Sequence, residues 1–256
     1  MRNFAAIFKK ELRTYFTSPI AYVVMFIFLL LAGFFFYSGY AYFNLISFQA
    51  MRSAYAMAGV NVIDWVVRPL FGNISVFLML IMPLLTMRLF SEEKKTGTIE
   101  LLFTYPIRDS ELLLGKYIAC LTVFLVMLGA TLVYPLMMAT FGTLPWGPVL
   151  SGYLGLILLG ASFIALGIFA SSLTENQIVA AVLAFGVLLF FWVIGWAANF
   201  VPPKVGNVLT QISLLQHFDN FAKGIIDTKD IVYYLTLILF FLFLTLRSLE
   251  SKKWRG

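Results

Sequence analysis

Residues 87–116 read MRLFSEEKKTGTIELLFTYPIRDSELLLGK and lie between two long apolar runs. The interval holds Arg88, Glu92, Glu93, Lys94, Lys95, Glu100, Arg108, Asp109, Glu111 and Lys116. The whole chain has only 18 basic and 12 acidic residues, so a third of its charge is gathered here. A charge cluster wedged between apolar runs, with an amphipathic pattern of its own, reads as a docking element on one membrane face. It is the place where a soluble partner can push on the part that lies in lipid.

The rest of the chain requires a membrane. Hydrophobic residues make up 61% and charged residues 12%, and the mean hydropathy is +0.93. A soluble domain carries roughly twice that charged fraction, and a chain so poor in polar groups cannot cover the surface of a globule. The expected class is an all-α integral membrane protein, with residues 1–256 forming a single transmembrane domain. The lone Cys120 falls in an apolar run and excludes an intrachain disulfide. The net charge of +6 is not a nucleic-acid footprint, because the basic residues sit where membrane topology places them.

A membrane-crossing helix needs about 20 apolar residues, and six runs qualify. They cover about 20–43, 69–89, 117–141, 149–173, 177–200 and 231–246. Pro83 and Pro135 fall inside two of them, which neighbouring helices tolerate by re-satisfying the freed carbonyls. The first run begins too late and is too long for a cleavable signal peptide. With a cytoplasmic amino terminus, thirteen Lys and Arg face the cytoplasm and five, Arg52, Arg68, Lys204, Lys223 and Lys229, face outward. That bias puts both termini and the loop at 91–115 in the cytoplasm, in a bacterial or archaeal inner membrane.

Ahead of the first span, Phe4, Ile7, Phe8, Leu12, Tyr15 and Phe16 recur at helical spacing, with Arg2, Lys9, Lys10 and Arg13 on the other face. Residues 1–18 therefore form an interfacial helix, apolar side in the acyl boundary and basic side toward anionic headgroups. In the loop, residues 91–95 extend the second span as an exposed helical turn and Gly97 interrupts it. Thr98 caps a short helix, with Glu100 near the positive end of its dipole. The helix carries Ile99, Leu101, Leu102 and Phe103 and is stopped by Pro106. Asp109 or Ser110 caps the next start. An exposed apolar set of that kind needs lipid or a protein groove as cover.

The run from Glu92-Glu93 through Gly97-Thr98-Ile99-Glu100 to Pro106, followed by Gly115-Lys116, resembles the cytoplasmic loop of ABC-2-type permeases, the membrane subunits of ATP-binding-cassette exporters. The opening Lys10-Glu11 through Ser18-Pro19 and the ending His217 through Asp227 to Glu250 look closest to the gliding-motility-type branch. The resemblance spans essentially the whole chain. It implies an amphipathic elbow (Phe4, Phe8, Lys9, Lys10, Leu12, Arg13) and a coupling helix seated in a cleft of a separate ATPase. Glu92, Glu93, Gly97, Thr98, Glu100, Leu101, Leu102 and Pro106 would be its coupling residues. It also implies short re-entrant helices on the outer side within 201–229, and a second permease subunit, identical or related.

No catalytic site is expected in the chain itself. A phosphate-binding loop needs Gly-x-x-x-x-Gly-Lys-Ser/Thr; here Ser110 stands at the first glycine position and Tyr117 follows Lys116. ATP and Mg would be bound by the partner ATPase. His217 is the only histidine, which excludes a multi-histidine metal site and reads as a surface or interfacial polar residue. No ionisable residue lies near a span midplane, which argues against a proton-coupled carrier. Gly152, Gly155, Ala161, Ala165, Gly167 and Ser171 in the fourth span permit close helix packing.

The expectation is a permease subunit that couples ATP hydrolysis in trans to movement of a substrate across or out of the membrane. The alternative is a non-transporting transmitter or anchor that relays the ATPase cycle to a periplasmic partner in an envelope or motility process. A solitary channel would show polar stripes, and none is present.

Overall fold

The structure, a computed structural model, describes residues 2–50, 61–100, 107–141 and 144–253. It is helical, with no strand among those residues. Helix α1 (Arg2–Thr17) turns at Ser18 into α2 (Pro19–Ala50). A π-helical turn over Ile63–Val67 runs into α3 (Arg68–Thr86), and α4 (Arg88–Lys95) continues past Met87. Then come α5 (Asp109–Ala130), α6 (Val133–Phe141), α7 (Trp146–Leu173) and α8 (Gln177–Ala197). Two short helices, α9 (Pro203–Ile212) and α10 (Leu214–Ala222), precede α11 (Thr228–Lys253).

Among the described residues six helical stretches are long and apolar enough to cross a membrane: Pro19–Ala50, Ile63–Lys95, Asp109–Thr140, Trp146–Leu173, Gln177–Ala197 and Thr228–Ser251. The last is longer than the apolar run alone suggests, because its helix begins before the run and continues through Arg247 and Glu250. The third is interrupted at Thr131–Leu132. Pro135 accounts for the break: it has no N–H to donate, and its ring clashes with the carbonyl four residues back, that of Thr131. Tyr153 sits within hydrogen-bonding distance of the Thr131 hydroxyl, 3.0 Å away, and anchors the kink.

Helix α7 is the axis of the bundle. Of its apolar window 78% is buried, against 22%, 17% and 22% for the α2, α8 and α11 windows. Lipid tails supply little hydrophobic force between helices, so close van der Waals packing must hold them. The α7 glycines provide it. A Cβ on Gly152 would stand 2.0 Å from the Phe71 ring, and one on Gly160 would stand 2.4 Å from Phe124. Gly155 receives Phe221 from α10 and Gly167 receives Thr86 from α3. Packing within the subunit thus accounts for the small residues of the fourth span.

His217, expected from sequence to be a surface or interfacial polar residue, is half-buried and ties neighbouring helices together. Its Nδ1 lies 2.6 Å from Asp230 Oδ1 and its Nε2 lies 3.0 Å from the Gln211 carbonyl oxygen. Asn220 donates to the other Asp230 oxygen at 2.8 Å. The His217 ring stacks on Tyr233. The pair α9–α10 is thereby fastened to the head of α11.

Candidate coupling site

The charged loop becomes, in three dimensions, a clamp of three helices. Lys116 near the start of α5 is 1% exposed. Its ammonium donates to Glu93 Oε1 of α4 at 2.8 Å and to Glu11 Oε1 of α1 at 2.9 Å. Lys10 donates to the same Glu93 oxygen at 3.0 Å and pairs with Glu11 at 3.2 Å. Two ammoniums thus balance two carboxylates, with Lys116 buried between Glu11 and Glu93 and Lys10 at the exposed rim. The Lys116 ammonium also lies 5.2 Å from the centroid of the buried Phe90 ring. Removing one partner from a buried pair leaves a stranded charge and costs about 3–5 kcal/mol.

Burial pushes the Glu11 carboxyl up, yet Lys116 and Lys10 outweigh it and hold the group below its ordinary value of 4.5. Lys10 shows the converse: desolvation lowers it, Glu11 and Glu93 raise it, and the net displacement is upward from 10.5.

Gly115 lets the clamp close. A Cβ there would stand 2.7 Å from Ile7 Cγ2, so only glycine allows α1 to lie so near α5. Tyr15 completes the seat of α1 by donating its hydroxyl to the Leu85 carbonyl at 2.7 Å. Arg88 does not reach away toward water: it donates to Ser18 Oγ at 3.0 Å, and its guanidinium lies over the Tyr15 ring.

On its other side α4 is tied to the end of α7. Ser171 Oγ accepts from the Phe90 and Ser91 amides at 3.0 and 3.1 Å and donates to the Met87 carbonyl at 2.8 Å. Lys94 Nζ donates to the Ser172 carbonyl. Ser91, Glu93 and Lys94 are therefore buried, which corrects the expectation of an exposed turn over 91–95. Only Glu92 and Lys95 on this helix face outward.

The chain leaves α4 through Gly97, whose φ of +68° is the left-handed conformation that favours glycine at a helix end. Residues 98–100 resume helical backbone. The Thr98 hydroxyl donates back to the Glu93 carbonyl at 3.3 Å. Glu100 is exposed and Ile99 buried. Leu101, Leu102 and Pro106 lie outside the described residues. The α5 helix starts after Arg108, so Asp109 and Glu111 occupy its first turn and Asp109 is not its cap.

Of the elbow residues, Lys9, Lys10 and Arg13 are exposed, and Phe4, Phe8 and Leu12 are half-buried. The inward stripe of α1 is Ile7, Glu11 and Tyr15. Glu11, Lys116 and Ser171 were missed as site residues. For Glu11 a signal existed: it is an acid at i+4 from Ile7 and i−4 from Tyr15, on the apolar face of a helix whose polar face is basic. Among the described residues no three His, Cys, Asp or Glu side chains come together as a metal site.

Six apolar helices around a buried axis define a multi-pass membrane protein. The family model for "ABC-2 family transporter protein" matches residues 5–254, and the chain belongs to that family of transporter membrane subunits. Membership implies association with an ABC ATPase and a partner permease. Among curated proteins none matches this chain.

Proposed function

We propose that the chain is the permease subunit of an ABC exporter and that α4, with the helical start at 98–100, is the lever on which a separate ATPase acts. The observation that carries this reading is the placement of Lys116. It joins α1, α4 and α5 through one buried ammonium, while Glu92 and Glu100 stay exposed on the outer side of the same unit. A force applied at 92–100 then moves α1, α3 and α5 together, because a signal crosses only where both sites bias one two-state element. ATP and Mg belong to the ATPase in this scheme, both termini face the cytoplasm, and a second permease covers part of the exposed apolar helices.

The test is Glu92→Ala/Glu100→Ala. It is expected to weaken ATPase association or uncouple hydrolysis, with membrane insertion and the amount of folded permease unchanged. Unaltered stimulation of the ATPase by this variant would overturn the lever assignment.

A further inference from the structure

At the end of the bundle remote from the clamp, both ring nitrogens of His217 face acceptors. Nδ1 lies 2.6 Å from Asp230 Oδ1, and Nε2 lies 3.0 Å from the Gln211 carbonyl oxygen. A neutral imidazole has one N–H and one bare nitrogen, so beside an ionised Asp230 it satisfies only one of the two contacts. Satisfying both takes two protons on the His217–Asp230 pair, and the surroundings favour placing both on the ring. The Gln211 carbonyl is among the last four of α9, which lack a partner within the helix and favour a cation. Asp230 stands in the first turn of α11, where the helix dipole favours an anion. Asn220 donates to its other oxygen at 2.8 Å. Asp230 is completely buried, and a buried carboxylate requires a charged partner. The His217 side chain keeps 13% exposure, so its protons exchange with water.

We propose that His217 is a proton-operated latch on the end of α9. As an imidazolium it holds that end to α10 and α11. When one proton leaves, the bare Nε2 faces the Gln211 carbonyl oxygen, two acceptors meet, and the contact is lost while the one to Asp230 survives. The release is local. Gly206 seats the beginning of α9 so near the Ala198 carbonyl that a Cβ would stand 2.9 Å from its oxygen. Tyr233 donates its hydroxyl to the Ile212 carbonyl at 2.5 Å, so the far end of α9 is loosened and not detached. The other ionisable groups around the latch are matched. Asp219 on α10 is paired with Arg68 and Lys223, and Asp227 with Lys229 at 3.1 Å. Tyr234 donates to the Leu214 carbonyl. Helices α7 and α8 carry no charged residue, and α9 carries only Lys204, at its start. Imidazole is the side chain whose charge changes between about pH 5 and pH 8. With both termini cytoplasmic the latch answers to external pH, but neither its contacts nor its test depends on that orientation.

The test uses the full-length chain in nanodiscs, purified without a histidine tag. His217 is the only histidine, so nitrogen-15 histidine labelling gives one imidazole whose two nitrogen shifts report its two protons. Amide hydrogen exchange, corrected at each pH for the intrinsic rate, reads protection over residues 209–213. Between about pH 5.5 and pH 8.5 that protection is expected to fall about tenfold, the worth of one charge-assisted hydrogen bond. Protection of α10 and of the body of α11 is expected to stay constant, and the fall should share its midpoint with loss of the Nε2 proton. His217→Phe keeps the stack on Tyr233 and removes both polar contacts; it is expected to show the low protection at every pH. Protection in the wild type that does not change with pH overturns the latch. So does a fall that persists in His217→Phe, or a bare Nε2 at pH 5.5. Separate midpoints for exchange and for the ring in the wild type also overturn it, so the outcome does not depend on the variant folding.

Discussion

Lys116 Nζ lies 2.8 Å from Glu93 Oε1 although the two residues are 23 positions apart and separated by the whole charged loop. The contact closes that loop at its base, on the inner side of the helix whose Glu92 stays exposed. Lys116→Met strands Glu11 and Glu93 with the exposed Lys10 as their remaining partner. The expected cost is about 3 kcal/mol, the lower end for breaking a buried pair. Lys116→Met/Glu93→Gln should recover part of it, since directly coupled residues are non-additive. Unfolding of the purified protein in detergent, run as a double-mutant cycle, measures the difference.

The clamp also sets a pH window. The Glu11 carboxyl is held below 4.5 in the fold, so its stabilisation is complete above that value and is lost as pH falls through the folded one. Lys10 is raised above 10.5, so its contribution is complete below that value and is lost as pH rises through the folded one. Stability of the α1 seat is expected to be flat between about pH 5 and pH 10 and to fall on the acid side. Thermal unfolding against pH should show the acid limb in the wild type and a shallower one in Glu11→Gln.

Among the described residues Gly97→Ala meets no neighbouring atom within 4 Å, so it acts through its φ of +68°. The strain is of order 1 kcal/mol, too little to unfold the bundle and enough to re-aim the tip. Normal folded yield with reduced ATPase affinity in pull-down titrations is the expected result.

Ser171→Ala removes one hydroxyl that serves two amides and one carbonyl. Leaving buried groups unpaired costs about 1–3 kcal/mol. Because α4 is still held by Lys116, hydrogen exchange is expected to accelerate at Phe90 and Ser91 first and not across α5. Uniform acceleration would argue against a local hinge tie.

The six spans and the α1 helix were legible because lipid imposes a length and a composition that no side-chain detail can override. The amphipathic face of α1 was legible in outline, but its decisive residue was not. Glu11 belongs with Lys10 by sequence and with Ile7 and Tyr15 by packing, and only the partner on α5 explains why an acid sits there. Residues 91–95 looked exposed because charge normally marks a solvated face. Here Glu93 and Lys94 turn inward to partners 23 and 78 positions further along the chain, a separation no local pattern encodes. The kink at Thr131 was concealed because Pro135 acts four residues upstream of itself. His217 looked peripheral for the same reason as Glu93: its partner Asp230 lies across a turn.

The most direct test of the central claim is site-specific photo-crosslinking of the membrane complex with its ATPase. A benzoyl-phenylalanine at Glu92, Lys95 or Glu100 is expected to give an adduct with the ATPase subunit. The same probe at Ile225 or Ile226, exposed before α11 at the other end of the bundle, is expected to give none. Adducts from positions 225 and 226 with none from 92, 95 and 100 would contradict the account.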